Sequence, residues 1–340
     1  QLKPFRKQLV KMAAPEFMRE VFEKALAVHL PDMLTLREKY KDVFEPIILQ
    51  ECTRCAVHGD LMHYFPGRFN VHNPAAVELH VTYDVFKGQP QRVSLTEDIA
   101  PEREYLPSAS SLAGCLFMAD AGYFSKAYVQ ELQDASAFFI IRMSNSVNPM
   151  AVCNKSQQAK PLKSWLKELP GTGALDLDVH WPDGPIYRCV AFAALDHNKR
   201  HVLVCTNLDR QQFPAEVVGD LYRVRWQIEL LFKEWKSMNN LNKFDTYHPT
   251  IVETLIWGSL LAATLKRWLI NAAQQKYNQV ISLFTGAKSA HIWWLPFCLD
   301  IARSHGADLV TAINEALAFL AQRCQRQNLK RDQKNGVFKM

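Results

Sequence analysis

The sequence predicts an α/β protein: a mixed sheet with flanking helices, interrupted by a β-rich insertion, and helical regions at both ends. Three observations support this class. Short apolar runs of strand character alternate with helical segments between residues 44 and 147. Between residues 148 and 214, Pro, Gly and polar residues surround three strand-like stretches. Helical periodicity prevails near the N-terminus and again from residue 215 onward.

Composition limits the classes of protein that this chain can belong to. Its 340 residues are 48% hydrophobic, so the chain can bury a sizeable core. A formal net charge of +6 permits an acidic partner such as nucleic acid without demonstrating one. Eight scattered cysteines in a large chain without a recognisable signal peptide favour a reducing, cytoplasmic setting. The chain starts at Gln1 rather than methionine, which fits either processing or truncation.

Membrane insertion is not expected. The longest apolar run, from Thr254 to Leu265, is well short of the roughly 18 apolar residues that a membrane-spanning helix needs. Glu253 precedes this run, and Lys266 and Arg267 follow it. The run therefore predicts a buried helix.

The first two regions are a helical N-terminal region at residues 1–43 and the first part of the sheet at residues 44–147. Periodicity from Pro15 to Tyr40 indicates the helix. The apolar run from Phe44 to Thr53 predicts a buried strand with a carboxylate, Glu51, at its end. Alternation from Ala76 to Val85 and from Arg92 to Thr96 predicts a hairpin.

A second acid follows the next predicted strand. A helix is expected over Glu102–Leu112, and then a strand over Cys115–Ala119 that ends in Asp120. A helix from Ser125 to Leu132 and a strand from Phe138 to Met143 complete this part. An acid at the carboxyl end of a strand lies where open α/β sheets bind their ligands.

The rest of the chain divides into three predicted regions. The β-rich insertion, residues 148–214, contains strands predicted at 175–181, 187–195 and 201–207. The core resumes at 215–271 with a helix that begins near Ala215 and another at 255–270. A helical C-terminal region, 272–340, contains helices predicted at 292–303 and 307–323 and a basic tail from Gln325 to Met340.

One predicted helix has a polar stripe. Because an α-helix turns about 100° per residue, the stripe falls within roughly a 60° arc; it consists of Tyr222, Arg225, Glu229 and Lys236. An apolar stripe one residue earlier can anchor the helix on a core; its members are Leu221, Val224, Ile228, Leu231 and Trp235. The plainer interpretation is an exposed ion pair between Arg225 and Glu229, worth a few tenths of a kcal/mol.

These motifs resemble a known family. A strand with an acid, a hairpin, a strand ending in an acid, an insertion and a helix with a third acid follow the order expected of a ribonuclease-H-like fold. The segment from Tyr222 to Lys236 resembles the signature of DDE transposases of the insertion-sequence-4 type. Other parts of the chain between about residues 44 and 265 resemble the same family, namely Phe65–Phe69, Ala75–Val81, Met118–Phe124 and Cys205–Leu208.

The resemblance implies roles for six residues. Glu51, Asp120 and Glu229 would be the three catalytic, metal-binding acids, holding two Mg²⁺ ions, with Mn²⁺ as a substitute. The other three polar residues of the signature would engage DNA phosphates near the transposon end, and these are Tyr222, Arg225 and Lys236.

The first acid departs from the family pattern. By register with Phe65–Phe69, the family's aspartate, followed by glycine and then serine or threonine, falls on Glu51-Cys52-Thr53. The extra methylene of glutamate moves the carboxylate by about 1.5 Å. A misplacement of about 1 Å can cost on the order of a hundredfold in rate. Asp60 and Asp84 are alternative first acids, although a helix cap and a turn residue are the plainer interpretations of these two.

Three functions follow as hypotheses. The resemblance implies a DNA transposase that cleaves double-stranded DNA at transposon ends, transfers the strand into target DNA, and acts as a homodimer when two ends are paired. The alternative is a transposase-derived DNA-binding protein that has lost catalysis, as Glu51 would suggest. The third is a zinc-stabilised interaction module built on Cys52, Cys55, His58 and His63, although a single Cys-x-x-Cys with short histidine spacing is a weak signal.

Overall fold

The computed structural model describes residues 2–28, 43–69, 73–154, 156–169, 171, 173–181, 184–193, 201–242, 244–303 and 307–326. Within these ranges the strands are β1 (Ile47–Ala56), β2 (Pro66–Phe69), β3 (Asn73–Asp84), β4 (Gln89–Glu97), β5 (Leu116–Ala119), β6 (Phe138–Met143), β7 (Met150–Cys153), β8 (Ala159–Pro161), β9 (Ala174–His180), β10 (Ile186–Phe192) and β11 (Val202–Thr206).

The helices of the described residues flank this set of strands. They are α1 (Leu2–Leu9), α2 (Ala13–Leu26), α3 (Lys126–Asp134), α4 (Leu162–Lys167), α5 (Ala215–Arg223), α6 (Trp226–Met238), α7 (Pro249–Tyr277), α8 (Leu283–Lys288), α9 (Ala290–Arg303) and α10 (Ala307–Arg323). None of the described helices is both long and apolar enough to cross a membrane.

The strands form a mixed sheet of the predicted kind. Its first part has the order β4–β3–β1–β5–β6, in which β3 is antiparallel to β1 and β4, while β1, β5 and β6 are parallel. This is the strand order of a ribonuclease-H-like sheet, so the predicted fold class is confirmed. Strand β2 pairs with the start of β3.

The β-rich insertion extends the same sheet. From β6 the order continues β11–β10–β9–β7–β8, and every one of these pairings is antiparallel. The helix α4 lies within this region and was not predicted. Strand β6 pairs directly with β11, so the sheet has no break between the first part of the core and the insertion. The region boundaries given above therefore remain predictions.

Alternation along the strands gives the sheet a core on each face. Ile47 and Leu49 of β1 pack on the face covered by α2, α5, α6 and α7, whereas Ile48 packs on the opposite face with α3 and α4. A third apolar cluster joins α7 to the helices that follow it, with Ile270 and Leu320 fully or almost fully buried. The sheet is therefore the middle of three layers.

The first strand differs from its prediction. The predicted strand ended near Glu51, but β1 continues to Ala56 because its antiparallel partner β3 runs beside it from Ile48 to Ala56. The parallel partner β5 stops at the pair Gln50–Ala119. Glu51 therefore lies in the middle of β1, at the position where β1 loses its partner β5 and the sheet opens on that side.

The predicted helix over Glu102–Leu112 is wrong. Two short 3₁₀ turns, Glu102–Tyr105 and Ala109–Leu112, replace it. Pro107 disfavours a helical conformation at the residue before it, and Leu106 is extended, with φ −61° and ψ 141°.

The predicted single helix with the polar stripe is two helices. Helix α5 ends at Arg223 and α6 begins at Trp226. In the turn between them, Val224 N–H donates to Leu221 O at 2.9 Å and Arg225 N–H donates to Tyr222 O at 3.1 Å. These bonds span three residues rather than four, so the chain tightens locally to a 3₁₀ turn.

Most other elements match their predictions. The β3–β4 hairpin, β6, α9 and α10 are confirmed, and α7 contains the predicted buried run. Helix α7 begins at Pro249, which suits a first helical position, and is followed by Asn278 in the left-handed conformation, φ 48°. The predicted N-terminal helix extends into residues 29–42 and the basic tail into residues 327–340, and both parts lie outside the described ranges.

Candidate active site

Strand register brings two predicted acids together. Because Gln50 pairs with Ala119 in the parallel β1–β5 ladder, Glu51 and Asp120 are the next residues on adjacent strands. Side chains alternate along a strand, so both acids face the layer that contains α6. Glu229 lies in the first turn of that helix.

Arg225 connects two of the three acids. Its Nη1 donates to Glu51 Oε2, and its Nη2 donates to Glu229 Oε1 at 2.8 Å. The side chain of Arg225 is 14% exposed and that of Glu51 is 15% exposed, so solvent screens this pair only weakly. The signature arginine therefore holds the first and third acids across the gap between β1 and α6.

The second acid, Asp120, has a cationic partner of its own. Arg142 of β6 places Nη1 3.3 Å from Asp120 Oδ1. The Asp120 side chain is 34% exposed and that of Glu229 is 36% exposed. The cluster is therefore less exposed at Glu51 than at Asp120 and Glu229.

The electrostatics of Glu51 reflect this position. Burial is the main cause that raises the pKa of Glu51 to about 7; Arg225 opposes the rise, and the neighbouring charges of Asp120 and Glu229 contribute to it. Cys52 N–H, which donates to Glu51 Oε1 at 3.3 Å, also favours the ionised form. Without a bound cation the first acid is thus partly protonated near neutral pH.

Tyr222 belongs to the same cluster. The guanidinium carbon of Arg225 lies 5.7 Å from the centre of the Tyr222 ring, which supports the arginine from one side. Burial raises the pKa of Tyr222 above its ordinary value. Its hydroxyl oxygen is buried and has no hydrogen-bond partner among the described residues.

Lys236 lies apart from the other members of the signature. It is half-buried on α6, near the far end of β1, where burial raises the pKa of the Cys55 thiol to about 11 and the Lys236 charge opposes that rise. The structure therefore brings Tyr222, Arg225 and Glu229 together at the acids but not Lys236. The roles given to these residues remain predictions.

The carboxylate oxygens of the three acids do not all lie within 4.8 Å of one another. Among the described residues, only Cys52, Glu78 and His80 form a group of three whose ligand atoms all lie within 4.8 Å of one another. A cation held by Glu51 and Glu229 would require Arg225 to move from between them. The donor set itself suits a hard divalent cation, since all three side chains offer carboxylate oxygens.

The alternative first acids have the plainer roles. Asp60 lies in a 3₁₀ turn, Gly59–Leu61, that begins after His58. Asp84 accepts hydrogen bonds from Lys87 N–H at 3.0 Å and from Gln91 Nε2 at 3.1 Å in the hairpin turn. Neither residue belongs to the cluster around Glu51.

The predicted zinc cluster of Cys52, Cys55, His58 and His63 is not formed. Residues three apart on a strand project to opposite faces, so Cys52 and Cys55 point away from each other. Cys55 packs in the core beneath α6 and α7, and His58 accepts a hydrogen bond from Asp60 N–H at 3.4 Å.

Sequence reasoning missed two groups near the site. Arg142 could have been found from the parallel pairing of β5 and β6, because Ala119 pairs with Ile141 and so Asp120 neighbours Arg142. The Cys52, Glu78 and His80 group depends on the antiparallel register of β1 and β3, in which Cys52 pairs with His80. No short motif in the sequence carries that register.

The fold and the cluster define a class. The chain is a ribonuclease-H-like protein with three carboxylates where the central sheet opens. It belongs to the Transposase DDE domain family, whose match covers residues 65–265 and includes Asp120 and Glu229 but not Glu51. This is a family of transposition enzymes that use divalent metal ions.

Individual relatives agree with the family. The chain is similar to the transposase for insertion sequence element IS1151 of Clostridium perfringens, with 22% identity over 78% of this chain and 67% of that protein. It is also similar to the transposase for insertion sequence element IS231F of Bacillus thuringiensis subsp. israelensis, with 21% identity over 73% of this chain and 61% of that protein. A shorter stretch of 65 residues is 45% identical to the transposase for insertion sequence element IS421 of Escherichia coli and covers 18% of it.

Among solved structures, the chain is similar to a cryo-EM structure of the piggyBac transposase synaptic complex with hairpin DNA. The TM-score is 0.44 at 8% identity, over 80% of this chain and 57% of that chain. The chain thus spans between about a fifth and two thirds of the length of these relatives. The insertion-sequence relatives are all transposases, as is the family, which does not favour the alternative of a DNA-binding protein without catalysis.

Proposed function

We propose that this chain is the catalytic part of an insertion-sequence transposase. It cleaves double-stranded DNA at the transposon ends and transfers the freed strand into target DNA, as a homodimer when two ends are paired. The observation that carries this proposal is the convergence of Glu51, Asp120 and Glu229 around Arg225 at the opening of the sheet. We place the reaction in the cytoplasm, where reducing conditions would keep the cysteines free.

The cofactor of this proposal is Mg²⁺, with Mn²⁺ as a substitute. Carboxylate oxygens are the ligands that Mg²⁺ prefers, and Glu51, Asp120 and Glu229 would hold it. When bound, such ions activate water or a 3′-hydroxyl for attack on the phosphodiester and stabilise the leaving oxygen.

The side chains around the acids have separate tasks. Arg225 pairs with Glu51 and Glu229 in the absence of DNA, and its forked donors match the oxygens of a phosphate equally well. The Tyr222 ring contacts the Arg225 guanidinium, and Arg142 keeps Asp120 in place. Lys236, farther along α6, would contact a phosphate away from the cleaved bond.

Glu51 takes the role of the first acid. Its longer side chain reaches across to Arg225 of the signature turn while its neighbour in register is Asp120. The carboxylate therefore belongs to the cluster despite the extra methylene.

The test is metal-dependent cleavage of DNA that carries the element's own ends. The unmodified protein, Glu51→Asp, Glu51→Gln, Asp120→Asn and Glu229→Gln are compared with Glu216→Gln, an acid of the first turn of α5 that serves as the control. We expect cleavage by the unmodified protein, Glu51→Asp and the control. Loss of at least about a hundredfold is expected for the three amide variants, because each removes a charge from the cation site.

Two results would contradict the proposal in different ways. Cleavage only after Glu51→Asp would mean that Glu51 has inactivated the enzyme. Retention of cleavage by Asp120→Asn and Glu229→Gln would remove these acids from the reaction. DNA binding measured in parallel separates a defect of catalysis from a defect of recognition.

A further inference from the structure

A second cluster of metal-ligating side chains lies behind Glu51, on the opposite face of β1. Cys52 pairs with His80 across the β1–β3 ladder, and Glu78 lies two residues from His80 on the same face of β3. The Sγ, carboxylate and imidazole atoms of these three residues all lie within 4.8 Å of one another. None of the three belongs to the acid cluster proposed above.

Glu78 has an unused buried oxygen in this cluster. The residue is 4% exposed, and its Oε2 has no hydrogen-bond partner among the described residues. That oxygen lies 3.7 Å from His80 Nε2 and 3.7 Å from Arg68 Nη2, both beyond hydrogen-bond distance. The Cys52 thiol donates a hydrogen bond to the same carboxylate, and a bound cation would also satisfy Oε2, which is costly to bury without a hydrogen bond.

The His80 ring is oriented for ligation. It stacks on Tyr105 with the ring centres 4.1 Å apart and an angle of 10° between the planes. Its Nδ1 lies 3.4 Å from Tyr123 Oη, and its Nε2 lies 3.7 Å from Glu78 Oε2 and 3.1 Å from Thr96 Oγ1, so an ion bound to Nε2 would replace the Thr96 hydroxyl as its partner. Ligating histidines commonly form such a hydrogen bond through the other ring nitrogen, because it fixes the tautomer and the ring plane.

The charges around the cluster leave room for a divalent cation. Arg54 pairs with Asp98 at 2.8 Å, and Arg68 lies 3.7 Å from Glu78 and 3.8 Å from Glu102. Two arginines thus face three carboxylates. A Cys52 thiolate would add one more negative charge, and a single divalent cation would bring the total to zero.

We propose that Cys52, Glu78 and His80 bind one Zn²⁺ ion, with water in the fourth position. Sulfur, imidazole and carboxylate are the donor types of protein zinc sites, and zinc bonds of about 2.0 to 2.3 Å place ligand atoms about 3.3 to 3.7 Å apart. The Cys52 thiol gives up its proton to solvent on binding. Because one ligand comes from β1 and two from β3, the ion ties these strands together directly behind Glu51.

The test begins with the metal content of the full-length protein. The protein is purified without chelator, passed through a desalting column, and its zinc is measured by mass spectrometry. Zn²⁺ is then replaced by Co²⁺, because a thiolate ligand gives cobalt a charge-transfer absorption that carboxylates alone do not. The variants are Cys52→Ala, His80→Gln and Glu78→Gln, and Cys153→Ala is the control, a half-buried strand thiol remote in sequence from the cluster.

We expect one zinc per chain, lost in Cys52→Ala and His80→Gln and retained in Cys153→Ala. The cobalt charge-transfer band should disappear in Cys52→Ala and persist in Glu229→Gln. Absence of the zinc site can therefore be distinguished from failure of the proposed transposase reaction. Removal of the zinc should lower the melting temperature of the unmodified protein but not that of Cys52→Ala. Circular dichroism spectra establish that each variant is folded.

Two results would overturn the proposal. A protein that neither retains zinc nor gives the cobalt band after incubation with excess metal contains only a hydrogen-bonded cluster of Cys52, Glu78 and His80. Zinc retained undiminished by Cys52→Ala and His80→Gln would belong to another site.

Discussion

Glu51 is the acid of the cluster that its surroundings constrain most. It lies half-buried on β1, next to Asp120, and Arg225 is its charged partner. Burial raises its pKa to about 7 from an ordinary value near 4.5. Folding therefore changes the proton affinity of this residue, and the stability of the protein should depend on pH through it.

Glu51→Gln should stabilise the metal-free protein above neutral pH. Between pH 4.5 and 7 the folded state binds more protons at Glu51 than the unfolded state, so the free energy of unfolding falls as the pH rises and levels off above 7. Glutamine removes that loss. We expect an advantage of up to about 3 kcal/mol at pH 8 that vanishes near pH 4.5, measured by urea unfolding in EDTA.

The sign of this effect is its strictest check. A Glu51→Gln variant that is less stable than the parent at pH 8 would mean that the Arg225 pair outweighs the burial of the charge. A difference that does not change with pH would contradict the raised pKa.

Arg225 should compete with divalent cations for the acids. We expect Arg225→Ala to bind Mn²⁺ about three- to tenfold more tightly in the absence of DNA, because the cation no longer has to displace an ion pair worth on the order of 1 kcal/mol. The same variant should bind transposon-end DNA more weakly. Calorimetric titration with Mn²⁺ and a DNA-binding assay measure the two effects.

Arg223→Ala is the matched control for this substitution. Arg223 is two residues away, exposed, and paired with Asp220 at 3.0 Å. It should change neither the Mn²⁺ affinity nor DNA-end binding appreciably. Equal Mn²⁺ affinity in Arg225→Ala and the parent would show that a cation reaches the acids without displacing Arg225.

At the scale of elements, a buried ion pair fixes α6 on α7. Arg267 of α7 donates from Nη2 to Glu234 Oε2 at 2.7 Å and from Nε to Glu234 Oε1 at 3.1 Å. Its Nη1 donates to Gly88 O in the β3–β4 turn at 2.6 Å. One side chain thus joins α6, α7 and the hairpin, and through α6 it sets the position of Glu229.

Arg267→Met should destabilise the protein by about 3 to 5 kcal/mol, because it leaves the Glu234 carboxylate buried without its partner. Adding Glu234→Leu should recover much of that loss, since the buried charge is then absent as well. Urea unfolding of the parent, both single variants and the double variant gives the coupling. Equal stability of Arg267→Met and the double variant would contradict this account.

Substitution by alanine should have opposite effects on the free energy of unfolding at two helical glycines, Gly286 and Gly258. At Gly286 of α8 an added Cβ would lie 2.6 Å from Ile270 Cδ1, so Gly286→Ala should cost about 1 to 3 kcal/mol by overpacking α7. At Gly258 of α7 the nearest atom is Met18 Cε at 3.7 Å, an ordinary contact. Gly258→Ala should therefore stabilise by about 0.5 to 1 kcal/mol, because alanine favours the helix.

Thermal and urea unfolding of the two glycine variants test this contrast. The two substitutions add the same methyl group to a helix, so each is the control for the other. A stabilising Gly286→Ala would mean that α8 can move away from α7 without loss of packing.

At the scale of the whole molecule, the sheet is continuous from the ribonuclease-H-like strands into the insertion. Strand β11 pairs with β6, and Asn207, directly after β11, donates through Nδ2 to Ala137 O at 2.8 Å. Asn207 Oδ1 accepts from Phe139 N–H at 2.9 Å, and Thr206 Oγ1 donates to Phe139 O at 2.7 Å. The insertion therefore depends on the core for part of its pairing.

A fragment of residues 148–214 should accordingly be unfolded. Without β6, strand β11 becomes an unprotected edge, and the apolar face beneath α5 is exposed. We expect a disordered circular dichroism spectrum for the fragment and a single unfolding transition of the sheet in the full chain. A fragment that folds cooperatively would establish the insertion as a separate domain.

The fold was predictable where local pattern and tertiary packing agree. Alternation predicted the β3–β4 hairpin, and apolar runs predicted β5 and β6, because these strands are buried on the faces that the pattern indicates. The helix over Glu102–Leu112 failed because Pro107 interrupts it. The unbroken helix through Arg225 failed because helical periodicity does not distinguish an α-turn from a 3₁₀ turn.

The sequence by itself determined the family and the class of the fold and selected the three acids as candidates, because these follow from residue types at fixed spacings along the chain. Only the tertiary structure decided what surrounds them. The Arg225 bridge, Arg142 beside Asp120 and the pairing of Cys52 with His80 all depend on strand register. Register is set by contacts between residues far apart in the chain, and a shift by one residue would turn each of these side chains to the other face.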